Sequence, residues 1–151
     1  MSKKIWGKRA LLPDGWAENT EINLDQNGKI QSVIINTEPA GLTFDTLLPA
    51  PMNLHSHCFQ RAMTGLSETS EKPSANFWSW REFMYKFVNS ISPQNYEAIC
   101  AFAQMEMLEG GYSGLTEFHY VHNDIKGSRF SQMSEMSERV LNAASISGIG
   151  L

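Results

Sequence analysis

Apolar and polar residues alternate in "TEINLD" (residues 20–25) and "KIQSVIIN" (29–36), and a period of two predicts half-buried strands. Between them lies "QNG". Its Asn27-Gly28 pair tolerates positive φ at both positions and predicts a hairpin turn. Residues 1–47 therefore read as a small sheet. A short apolar strand is expected over 47–54, within "TLLPAPMNL". Pro49 and Pro51 cannot donate to a ladder, so its early part belongs at a sheet margin or bulge. The polar stretch "SETSEKPSA" (67–75) predicts a loop.

Beyond the loop the period lengthens. "NFWSWREFMYKFVNSI" (76–91) predicts a short helix beginning near Asn76. A second helix follows, capped by Ser92, with Pro93 at its first position, Tyr96, Ile99, Ala103, Met107 and Leu108 on its apolar face, and Gly110-Gly111 at its end. "SGLTEFHYVHND" (113–124) reads as a short strand running into a loop. A final helix is expected from Phe130 to Ser147, burying Met133, Met136, Val140, Leu141 and Ala144, before "GIGL" opens another apolar segment. The order is sheet, strand, helices, strand, helix, incipient strand. That is how an α/β barrel begins. The expected fold class is α/β, with residues 1–47 a small β domain and 48–151 the first β/α units of a barrel.

Composition narrows the function. With 42% hydrophobic and 19% charged residues the chain is a folding one. A net charge of −4 with scattered Lys and Arg argues against nucleic acid. No run of eighteen apolar residues and no signal-peptide core is present, so no membrane partner and a cytoplasmic location are expected. Cys58 and Cys100 have no CxxC spacing and read as free thiols, with Cys58 facing away from its histidine neighbours.

Those neighbours, in "LHSHCFQR" (54–61), are the candidate chemistry. On extended chain, residues two apart face one side, so His55 and His57 can converge on a single point, as zinc requires. The pair falls where the first barrel strand would end, and barrel sites gather at the C-terminal ends of strands. His119 adjoins Tyr120 and should point away from it, and His122 lies in a loop, so neither is expected to be a ligand. Glu117 and Asp124 read as structural residues, and "GYSG" lacks phosphate-loop spacing.

The longer string "LPAPMNLHSHCFQRAMTGLSE", with "FWSWREFMY" and "GYSGLTEFHYVHND" in the same order, closely resembles the formimidoylglutamate deiminases of the amidohydrolase superfamily, strongly over residues 48–124. The resemblance implies a partial (β/α)8 TIM-like barrel preceded by strands of a small β-sandwich domain, and one zinc ion held in part by His55 and His57. It implies hydrolysis of N-formimidoyl-L-glutamate to N-formyl-L-glutamate and ammonia, and a homodimer for the complete protein. Gln60, Arg81 and Tyr120 fall at positions that would bind the two substrate carboxylates, Arg81 through its bidentate fork. The remaining metal ligands and the acid/base residues of such enzymes lie on later strands, so no catalytic residue is assigned here, and a chain supplying about two of eight barrel units is expected to be inert and poorly folded alone. Two alternatives stay open: a fragment of another deaminase of the superfamily, which would have no need of a carboxylate-binding Arg81, and a non-catalytic truncated product.

Overall fold

The computed structural model describes residues 3–66 and 76–151. The polar stretch expected to form a loop, 67–75, lies outside the described residues. The chain divides into two compact units, Met1–Ala50 and Pro51–Leu151.

The first unit is one mixed sheet of four strands in the order β3-β2-β1-β4: β1 (Lys3–Leu12), β2 (Gly15–Leu24), β3 (Ile30–Ile34) and β4 (Leu42–Leu47). β1 pairs antiparallel with β2 and parallel with β4. Trp6, Ala10 and Thr20 are buried on it, and Glu21 is buried against the Lys4 ammonium at 2.9 Å. The hairpin expected between β2 and β3 forms, with a different turn chemistry. Gly28 alone of the Asn27-Gly28 pair has positive φ, +79°. The loop is organised instead by Asp25, whose Oδ1 accepts from Asn27 N and Lys29 N, both at 2.8 Å. A carboxylate that satisfies two loop amides removes the need for a left-handed Asn.

The second unit opens with β5 (Met52–Ser56), separated from β4 by the prolines, so the single expected strand over 47–54 is two strand ends with a break between them. A 3₁₀ helix over Cys58–Met63 follows directly. Helix α1 (Phe77–Val88) begins after Asn76, whose Oδ1 accepts from Trp78 N and Ser79 N while Ser79 Oγ accepts from Asn76 N, a reciprocal capping box. Helix α2 (Pro93–Glu109) starts as expected on a Ser92 cap with Pro93 at the first position. β6 (Gly114–Glu117) pairs parallel with β5, and Gly150 bridges to Gly114 from the other side. A Cβ on Gly114 would lie 2.5 Å from the end of the exposed Met52 side chain, which would have to move to admit it. Together these strands and their covering helices are the α/β arrangement expected.

Helix α3 (Glu135–Ser147) begins five residues later than expected: Glu135 N donates to the Gln132 carbonyl in a turn, and the helical bonding begins with Glu138 N donating to the Ser134 carbonyl. Two residues assigned to its apolar face are corrected: Met133 is 81% and Leu141 57% exposed, while Met136, Val140 and Ala143 are buried. The core of this unit joins Phe59, Met63, Met84, Tyr96, Cys100, Leu115, Val121, Met136 and Val140. Among the described residues no helix is long and apolar enough to cross a membrane.

Candidate metal centre

The register of β5 on β6 shifts by one residue between Asn53 and Ser56, which leaves His55 on a bulge. Bulges re-aim side chains next to functional sites. Here Asn53 Oδ1 accepts from His55 N at 3.3 Å, replacing a ladder bond. The turn of the chain then buries Ser56, Cys58 and Phe59 while leaving His57 half-buried and His55 exposed. Cys58 faces away from the histidine rings, against Ser56 Oγ at 3.3 Å, and Cys100 lies beside it. Its contact with Cys58, and burial, push the Cys100 thiol up.

The two imidazoles meet edge to face, Nε2 to Nε2, at 3.1 Å. The tautomer of His57 follows from its other nitrogen. Nδ1 lies 2.5 Å from the Phe118 carbonyl, and a carbonyl can only accept, so Nδ1 carries the proton and Nε2 the lone pair. In the bare protein His55 Nε2–H can donate to that lone pair. The same arrangement suits a shared cation: two ligands each about 2.1 Å from one ion must lie within about 4.2 Å of each other. A histidine whose second nitrogen donates to a carbonyl is oriented as metal-bound histidines commonly are. The donor set thus fits zinc, as two ligands of the four it takes. Among the described residues no group of three or more His, Cys, Asp or Glu side chains could hold a metal ion.

Gln60 and Tyr120 come together beside this pair. Gln60 Nε2 donates to the Tyr120 hydroxyl at 2.7 Å, which donates in turn to Met84 Sδ at 3.1 Å, and the Tyr120 ring stands 5.2 Å from that of His57. Burial pushes the Tyr120 hydroxyl up, against the Gln60 hydrogen bond. Gln60 sits on the 3₁₀ helix rather than in a loop. Arg81 keeps to its own helix: its guanidinium donates to Tyr85 Oη at 3.1 and 3.3 Å and lies over the Trp78 and Tyr85 rings. It stands three residues before Met84 on α1, so about one helical turn separates it from the residue that accepts the Tyr120 hydrogen bond. His119 bonds Ser137 on α3, and Glu117 reaches the Cys58 amide. The contributions of Asn53 and of the Phe118 carbonyl were not foreseen; a main-chain acceptor has no residue type by which sequence could betray it.

A family model described as the N-terminal domain of formimidoylglutamate deiminase (HutF) matches residues 2–41. Formimidoylglutamate deiminase of Pseudomonas aeruginosa is 43% identical over 149 residues, covering 97% of this chain and 33% of that protein. The chain thus spans about a third of the length of the curated relative it matches. Among solved structures, an amidohydrolase from Brucella melitensis superposes with a TM-score of 0.88 at 39% identity, over 99% of this chain and 34% of that one. A zinc-bound atrazine chlorohydrolase from Arthrobacter aurescens, at 20% identity and a TM-score of 0.74 over 97% of this chain and 34% of its own, shares the fold.

Proposed function

We propose that this chain, which matches the N-terminal portion of formimidoylglutamate deiminase in the amidohydrolase fold, supplies the first two metal ligands and part of the substrate pocket for hydrolysis of N-formimidoyl-L-glutamate to N-formyl-L-glutamate and ammonia. The observation that carries this reading is the convergence of His55 and His57 through Nε2, with the His57 tautomer set by Phe118. Zinc, when bound, makes water a nucleophile near neutral pH and polarises the carbon under attack.

The chain's own residues hold and orient. His55 and His57 present lone pairs to the metal. Gln60 and Tyr120, already hydrogen-bonded to each other, offer an amide and a hydroxyl to one substrate carboxylate, and Arg81 offers a guanidinium after exchanging its bonds to Tyr85 for bonds to substrate. The same reading puts the reaction in the cytoplasm, in a homodimer of the complete enzyme.

The test joins residues 1–151 to the remaining two thirds of the Pseudomonas aeruginosa relative and measures ammonia release with zinc on formimidoylglutamate, guanine and a chlorotriazine. Turnover of formimidoylglutamate alone, lost with zinc on His57→Ala, is expected. Arg81→Gln should retain zinc while kcat/KM falls about ten- to a hundredfold, the loss of one charged hydrogen bond. Unchanged kinetics in that variant would return Arg81 to packing on Trp78 and Tyr85. Release of ammonia from guanine instead would assign the segment to another deaminase.

A further inference from the structure

β6 ends against the loop that follows β5 and grips His57 on three sides. Just before the histidine, the Ser56 carbonyl accepts from Phe118 N at 3.0 Å. On the ring, Nδ1 donates to the Phe118 carbonyl. Just after it, Cys58 N donates to Glu117 Oε1 at 2.9 Å. The first two contacts are partly or wholly main chain and survive changes of residue type on β6. The third depends on the Glu117 side chain.

The need for it lies in helix capping. His57 is the N-cap of the 3₁₀ helix Cys58–Met63, and its side chain makes no cap hydrogen bond. A helix start leaves amide hydrogens unpaired, and the N-cap side chain ordinarily takes one. Here that side chain is turned the other way, towards Phe118 and His55. Glu117, from the neighbouring strand, accepts a different one of these amides, that of Cys58 at the first helical position. The arrangement is a costly one for stability alone: Glu117 Oε2 is buried and has no hydrogen-bond partner among the described residues, and no cation pairs with the carboxylate among them.

We propose that Glu117 is a positioning residue for His57, holding the first amide of the following helix from another strand and so fixing the backbone from which the His57 ring is aimed at the metal. The proposal rests on the reading of His57 as a ligand, and its test separates the two. In the 151-residue chain, imidazole nitrogen NMR reads the His57 tautomer without metal, hydrogen exchange reads the Cys58 amide, and zinc alone is then titrated against the His55 and His57 signals. Glu117→Leu keeps the volume and removes the acceptor. It should speed Cys58 exchange, let the other His57 tautomer appear, and weaken zinc binding about tenfold, the usual cost of losing an outer contact to a ligand. Glu117→Gln keeps a carbonyl acceptor and should restore all three readouts to native values. Glu117→Asp withdraws the acceptor by one methylene, should fall between, and carries the test where the leucine variant does not fold. A native His57 spectrum and native Cys58 exchange in both acceptor-shortened variants would overturn the proposal, as would a glutamine variant as damaged as leucine. If zinc moves neither histidine signal in the native chain while Glu117→Leu still alters the His57 tautomer, the metal reading fails and the positioning role stands.

Discussion

His119 lies between the buried Tyr96 and helix α3, and its chemistry differs from that of the site histidines. Its Nε2 meets Ser137 Oγ at 2.8 Å, its Nδ1 is buried without a partner among the described residues, and its ring neighbours those of Tyr96 and His122. Burial first, and then the His122 charge, hold its pKa below the ordinary 6.5. A group whose folded pKa is depressed binds protons more readily in the unfolded chain, so its stabilising contribution is present above pH about 6.5 and is lost as pH falls through and below that value. Urea unfolding of the chain should therefore show a midpoint that drops between pH 7 and pH 5, with a shallower drop in His119→Gln. Equal slopes would place the pH dependence elsewhere. At this scale sequence was informative where spacing carried the chemistry, as at His55 and His57, and where parity separated His119 from Tyr120. It was less informative where a residue turned to its own helix, as Arg81 does towards Tyr85. Glu117 left a trace in sequence, the one charged residue of a four-residue strand, without saying which amide it serves.

Elements were legible where capping chemistry is local. Ser92 and Pro93 begin α2 as their residue types require, and Asn76 begins α1. The start of α3 was not, because Phe130 and Met133 continue the apolar period backwards while the main-chain helical bonding begins only with Glu138 N donating to the Ser134 carbonyl. Apolar period marks a face; hydrogen bonding decides where the helix stops. The turn "DQNGK" gave the same lesson, and "DIKGS" repeats its chemistry: Asp124 Oδ1 accepts from Lys126 N and Ser128 N at 2.9 and 2.8 Å, and Gly127 takes φ +77°. The α1 cap offers a direct measurement. Asn76→Ala removes the acceptor for two amides and should destabilise the second unit by about 1 kcal/mol in chemical denaturation. Faster amide exchange should be confined to the first turn, with Arg81 less firmly held. A loss under a few tenths of a kcal/mol would show that water replaces the cap at no cost.

Across the whole molecule, apolar side chains remain uncovered in both units. Leu54 on β5 is 76% exposed and Phe118 64%, and Ile30 and Leu42 are exposed on the first sheet. β5 has a ladder partner on one side alone among the described residues. Such edges and patches favour pairing with other chains. Sedimentation of the 151-residue chain should show association that grows with concentration, and Leu54→Lys should reduce it. A monomer at every concentration would mean that these faces are covered in solution. The three-sided grip on His57 also sets an order of events in folding. Its ring is held by a carbonyl 61 residues further along the chain, and Cys58 by a carboxylate 59 residues away. Closing a loop of that length costs about 4 kcal/mol in chain entropy, before any contact within it repays the cost. The histidine pair is therefore adjacent in sequence from the start but becomes a pre-set ligand pair late, once β6 has docked. A zinc ion met by the nascent chain before then finds two freely rotating imidazoles, and pulse-labelled refolding should show the Cys58 amide protected in step with β6 and later than the hairpin of β1 and β2.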